Sequence, residues 1–289
     1  MPAAPEISPS ASDGPSQPAR RRLLAGAGSL GLLGATHAAS AQPAPANRSR
    51  PTLTAQTTEG PYYFDPGLVR ADITEGTPGV PLAVRFAIVD ETGAPFAGAR
   101  VDIWHCNAEG FYSGYASQGE NRRADMRGRT FLRGTQATGA DGVATFSTIY
   151  PGWYPGRTTH IHFKVFHGAR NVLTCQFFLP DALSEFLYTQ VPAYRRASLR
   201  DTLNSNDGIR IEAGETVLGD VRDENSRYVA TLNVAVDRNG NPRTGHPPRG
   251  DRTGPPPGPP PMVGPLTGTP RVEALVPGLA VPGPPSRQG

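Results

Sequence analysis

Thr159-His160-Ile161-His162-Phe163-Lys164-Val165-Phe166-His167, followed after Gly168-Ala169-Arg170 by Asn171-Val172-Leu173-Thr174-Cys175-Gln176-Phe177-Phe178-Leu179, decides the fold. β-Branched and aromatic residues crowd both runs, and the turn across Gly168-Ala169 joins them as a β-hairpin over 159–167 and 171–179. Working outward, 82–90 (LAVRFAIVD) alternates as a strand does and ends in the turn Asp90-Glu91-Thr92-Gly93. Residues 99–106 (ARVDIWHC) predict a second strand, with Val101, Ile103 and His105 on one face and Asp102, Trp104 and Cys106 on the other. Gly139-Ala140-Asp141-Gly142 is a turn before a strand over 143–149, and 228–236 (YVATLNVAV) is a last strand. Helix is scarce, with one short turn over 181–188. Short strands between Gly/Pro turns give an all-β chain, a single β-sandwich domain with few short helices.

Composition narrows the function. The 289 residues include 34 Gly and 32 Pro, spread throughout and without a sustained helical period, which excludes a long helical bundle. No apolar run reaches the length of a membrane span, so no stable membrane insertion is expected once a signal is removed. Of 28 basic residues only Lys164 is a lysine; the rest are scattered arginines rather than a stripe, and no nucleic-acid partner is expected. The two cysteines, Cys106 and Cys175, allow at most one internal disulfide.

The ends differ from the body. Arg20-Arg21-Arg22 precedes an apolar run over 23–33, and Ala39-Ser40-Ala41 offers the small residues a signal peptidase reads. Residues 1–41 therefore predict an export signal of twin-arginine type and a periplasmic or extracellular location. In 241–289, 15 of 49 residues are Pro and few are large and apolar, which predicts a disordered Pro/Gly-rich tail. The folded unit is expected over 42–240.

Chemistry concentrates in the hairpin. Of six histidines, four lie in the folded unit, and His160 and His162 share a strand face roughly 7 Å apart along the chain. Alone this pair is a weak signal that reads first as two partly exposed strand residues and only second as a metal edge, copper or zinc among the ions such a pair could hold. Just upstream, Tyr150-Pro151-Gly152-Trp153-Tyr154-Pro155-Gly156-Arg157 delivers Tyr154 and Arg157 to the same strand, and Tyr112 follows the strand carrying Trp104. No cysteine pair has zinc spacing, and no carboxylate neighbours the histidines. Two phenolates with two imidazoles favour a hard, highly charged ion such as Fe(III). An ordinary Tyr titrates near pH ~10, so only a strong Lewis acid holds it deprotonated at neutral pH.

These motifs, with Thr58-Glu59-Gly60-Pro61-Tyr62-Tyr63, Asp102-Ile103-Trp104-His105-Cys106-Asn107-Ala108-Glu109-Gly110-Phe111-Tyr112 and Gln176-Phe177-Phe178, resemble the intradiol ring-cleavage dioxygenases. This is the superfamily of catechol and protocatechuate 3,4-dioxygenases. The resemblance implies a non-haem Fe(III) held by Tyr112, Tyr154, His160 and His162, with Tyr154 and His162 as the axial pair. It implies a catalytic Arg157, a Gln176 beside the oxygen site, and a substrate pocket walled by Pro61 and Tyr62. The implied partners are a small aromatic diol and O2, and the implied product is a cis,cis-muconate-type diacid; a homo-oligomer is compatible with it. The segment from Tyr154 to His160 is shorter than in larger family members, which would open the mouth to bulkier catechols. His105, His167 and Trp104 match no ligand and read as packing residues. The competing reading is an exported transthyretin-like β-sandwich that binds without catalysis.

Overall fold

The structure is a computed structural model that describes residues 50–119, 121–242 and 266–276. The export signal expected over 1–41 lies outside the described residues, as does most of the Pro-rich tail. In chain order the strands are β1 (Pro81–Asp90), β2 (Arg100–Trp104), β3 (Arg133–Ala137), β4 (Val143–Ile149), β5 (His160–His167), β6 (Arg170–Phe178), β7 (Asp220–Glu224) and β8 (Arg227–Val236). The helices are α1 (Asp181–Gln190), α2 (Gly208–Ala213) and α3 (Gly268–Leu275).

Two four-stranded sheets form, ordered β4-β1-β8-β7 and β3-β2-β5-β6. The second is antiparallel throughout; in the first, β1 and β8 run parallel. Between the sheets Phe86 meets Phe163 at 4.6 Å, Phe177 at 6.2 Å and Phe146 at 6.3 Å, ring centre to ring centre. Alternation in β1 sends Leu82, Val84, Phe86 and Ile88 into this core and leaves Arg85, Ala87 and Val89 half-buried. Strand β5 differs: every residue from His160 to Val165 is buried. Ile161, Phe163 and Val165 join the inter-sheet core. His160, His162 and Lys164 lie on the other face, which a second layer of chain covers.

That layer includes the stretch entering the sandwich. Thr57 donates its backbone N–H to Thr174 O at 2.9 Å, Gln56 bonds across to Val172 and Thr174, and Tyr63 donates to Asp102 Oδ2 at 2.8 Å. Lys164, the one lysine, pairs with Glu59 and lies 4.2 Å from the centre of the Tyr63 ring. These bonds lay 54–64 over the imidazole face.

The strands expected from sequence are present within one or two residues at each end, and the hairpin turns at Gly168-Ala169. Two strands escaped the reading. β3 (RGTQA) carries no apolar alternation, and β7 (DVRDE) is a charged edge strand with no buried residue. The helix expected over 181–188 runs ten residues, to Gln190. Part of the tail read as disordered is ordered: α3 forms, and Arg271 holds Glu185 through both carboxylate oxygens at 2.8 Å. No helix among the described residues is long and apolar enough to cross a membrane.

Both cysteines are free. Cys175 faces the inter-sheet core, whereas Cys106 packs with Trp104 and Tyr112 on the opposite side of the same sheet, so the sheet separates the two thiols. Burial pushes both thiols up to about 12. Thiol titration of the native protein should therefore find essentially no fast-reacting group, and unfolding without reductant should release both. A protein that stays unreactive after unfolding contradicts this arrangement.

Candidate metal centre

Tyr112 and Tyr154 sit on loops that approach within backbone contact. Gly152 donates its N–H to Asn107 O at 3.0 Å, and a Cβ there would lie 2.3 Å from Ala108 O. Across the same contact Gly110 has φ +83°, and its Cβ would lie 2.3 Å from Trp153 O. Only glycine tolerates this approach from both sides, and the approach carries the two phenols to one point.

At that point four side-chain atoms converge. His160 Nε2 lies 3.0 Å from Tyr154 Oη, 3.5 Å from Tyr112 Oη and 3.1 Å from His162 Nε2; the two phenol oxygens are 3.4 Å apart. His160 Nδ1 donates to Thr158 O at 2.6 Å, because a carbonyl can only accept, so Nε2 presents a lone pair. One lone pair cannot satisfy three neighbours by hydrogen bonding. A shared cation can: metal–ligand bonds of about 2.0–2.2 Å place adjacent donors roughly 3–3.5 Å apart. Among the described residues no three His, Cys, Asp or Glu side chains gather to hold a metal, so a site here depends on the phenols.

Electrostatics fits the same reading. Burial pushes His160 down to about 3, with the Arg157 charge adding to it, and holds His162 well below its ordinary range, with His160 and Arg157 adding to it. Both imidazoles are thus neutral and ready to ligate. Burial raises both phenols well above their usual range; for Tyr154 the Arg157 charge opposes this, and for Tyr112 the neighbouring Tyr154 adds to it. Without a strong Lewis acid they stay protonated, and the phenol oxygens favour a hard cation over a soft one.

The remaining expected residues are placed as follows. Gln176 pairs with His162 in the β5–β6 register, is fully buried, and bonds through Nε2 to Thr58 O at 2.9 Å. Its Oε1 accepts from Arg157 Nη2 at 2.5 Å. Tyr62 stacks on Tyr112, ring centres 4.5 Å apart, and Pro61 precedes it on the covering segment, both half-buried. Trp104, read as packing, is buried and stacks on His162 at 4.9 Å with an 11° tilt, and so fixes that imidazole ring; the alternation of 99–106 had put it on the face away from Val101 and Ile103. His105 is structural, bonded to Cys106 O and Thr148 Oγ1 and held neutral by burial at about 4. His167 is exposed at the hairpin end. Asp207 touches Arg157 from a loop whose sequence carries no signal of that contact.

Fold and site together define a two-sheet, mostly-β protein whose sheet face carries a two-phenol, two-imidazole centre. A family model described as Dioxygenase matches residues 58–211. The intradiol ring-cleavage dioxygenase from Tetranychus urticae is similar at 31% identity and TM-score 0.61, over 67% of this chain and 98% of that one. Catechol 1,2-dioxygenase 1 of Acinetobacter lwoffii is 32% identical over 43% of this chain and 45% of its own length. Catechol 1,2-dioxygenase of Acinetobacter baylyi is 28% identical over 56% and 57%. The chain spans about half the length of the curated relatives it matches. It belongs to the intradiol ring-cleavage dioxygenase superfamily.

The glycine contact gives a direct test. Gly152→Ala should cost about 1–3 kcal/mol of unfolding free energy, since the new methyl meets backbone on a neighbouring loop. It should also weaken metal uptake at the four-donor cluster, measured as metal per chain after dialysis; unchanged stability and metal content would contradict the loop contact.

Proposed function

We propose that the chain is a non-haem Fe(III) intradiol dioxygenase that inserts both atoms of O2 into a catechol-type aromatic and yields a cis,cis-muconate-type diacid. The observation that carries the reading is the convergence of Tyr112, Tyr154, His160 and His162 within 3.0–3.5 Å of one another, with Arg157 alongside. A ferric ion held by these four would supply a Lewis acid that draws the diol oxygens in and accepts electron density from the ring.

The chain's own residues do the rest. Held as a phenolate by such an ion, Tyr154 Oη, placed at the cluster on a half-buried side chain, would accept the proton of one diol hydroxyl and become the neutral phenol that its surroundings favour. Arg157 is buried, and although burial works against its charge, Tyr154 and Asp207 more than offset it, so the guanidinium stays protonated. With Nε on Asp207 and Nη2 on Gln176, its Nη1 has no partner among the described residues and is the donor for charge developing on the substrate. Pro61 and Tyr62 wall the pocket, Tyr62 fixed by its stack on Tyr112. The short passage from Tyr154 to His160 favours bulkier catechols over plain catechol alone.

A non-catalytic transthyretin-like module has no use for four donors converging on one point, three of them on buried side chains, and nothing in the site favours it. We place the catalytic unit at 42–240 and propose export through a twin-arginine-type signal over 1–41, supported by the Arg20-Arg21 pair and the short apolar run after it. Replacing Arg20 and Arg21 with Lys should retain the protein in the cytoplasm; continued export would contradict that route.

The reaction is tested with iron-loaded full-length protein, a catechol panel and 18O2. The product should be a ring-opened diacid carrying label from both oxygen atoms. No oxygen uptake with any ortho-diphenol, or a product opened beside the diol rather than between its hydroxyls, would contradict the assignment. Arg157→Met should keep its iron and lose about 100-fold or more in kcat.

A further inference from the structure

The Arg157 guanidinium is held on two edges. Gln176 takes Nη2, and the Nε edge belongs to Asp207, fifty residues further along the chain. Asp207 is 2% exposed and stands at the N-cap of α2, on a connection with no regular structure. Its Oδ1 accepts from the N–H groups of Ile209 at 2.9 Å and Arg210 at 3.1 Å. Its Oδ2 accepts from Arg157 Nε at 2.9 Å and from the Thr158 N–H at 2.9 Å.

Four donors thus use this carboxylate, which leaves it no capacity to act as a base or a ligand. Only a carboxylate suits the place: an amide would turn an NH2 group against two N–H donors on one side or the other. The connection that presents Asp207 is itself fixed. Arg200, buried, bonds Asp181 at 2.7 Å, Asp181 receives the Asn204 N–H at 2.8 Å, and Asp201 receives the Gly156 N–H at 3.1 Å. Both ends of the Gly156-Arg157-Thr158 stretch are therefore tied to the 200–207 connection. Thr158 O in turn receives His160 Nδ1.

We propose that Asp207 is a positioning residue for Arg157: it fixes the guanidinium so that Nη1 alone faces the reacting diol. The inference rests on the dioxygenase reading above. Asp207 acts through Arg157 and touches neither substrate nor ion.

The test uses full-length, iron-loaded protein with Asp207→Ser, Asp207→Asn, Arg157→Met and the double variant Asp207→Ser with Arg157→Met. Serine keeps a helix-capping oxygen and gives up the reach to Arg157, so a fold that needs only the cap survives it. Asp207→Ser should lower kcat about 10- to 100-fold while KM changes less than about threefold. In the Arg157→Met background the same change should cost less than about threefold. In metal-free, 15N-labelled protein the exchange protection of the Arg157 Nε–H should fall about tenfold or more, with amide protection in β1 and β8 unchanged. Equal losses in both backgrounds would overturn the proposal, as would wild-type kcat in Asp207→Ser. A wild-type protein that consumes no oxygen would overturn the dioxygenase reading and the inference with it, whereas wild-type turnover with an indifferent Asp207 removes the positioning role alone. If Asp207→Ser fails to fold, Asp207→Asn carries the same readouts.

Discussion

Everything in this protein depends on strand β5 being buried on both faces. A strand of a two-layer sandwich ordinarily packs one face and wets the other. Here Ile161, Phe163 and Val165 close the inter-sheet core while His160 and His162 point the opposite way into a second, polar interior. That interior exists because the segment over 54–64 and the Tyr112 and Tyr154 loops cover the sheet. The aromatic stacks of Trp104 on His162 and Tyr62 on Tyr112 then fix two of the four donor rings. The core makes the strand rigid, and rigidity is what lets donors on two loops and one strand meet.

Burial also sets the chemistry. Two phenols and two imidazoles taken out of water are all driven toward their neutral forms. Such a cluster is poor at binding a proton and well suited to a small, highly charged cation, which alone repays the deprotonation of both phenols. The buried Arg157 beside it is held charged by Asp207, so the site keeps one fixed positive group whose direction is set by hydrogen bonds rather than by solvent.

Much of this was legible in the residues. Alternation located β1, β2, β4, β5, β6 and β8, since each buries large apolar side chains at a period of two. The same period put His160 with His162, and Trp104 on the face away from Val101 and Ile103. The motif order also brought Tyr112, Tyr154, Arg157 and Gln176 to one site. What alternation could not reach was held by polar contacts. β3 and β7 bury too little to leave a pattern, and α3 sits in Pro-rich sequence whose composition argued for disorder. The Asp207–Arg157 contact left no signal in the sequence, because a long-range bond to an arginine has no local periodicity. The two cysteines share no face, a fact of the sheet between them rather than of their spacing.

The most direct test of the central claim is resonance Raman spectroscopy of the full-length protein loaded with Fe(III), excited within its visible absorption. Two distinct sets of enhanced tyrosinate ring modes are expected, one lost in Tyr112→Phe and the other in Tyr154→Phe. A colourless ferric-loaded protein, or a spectrum in which neither substitution removes a tyrosinate mode, would contradict it.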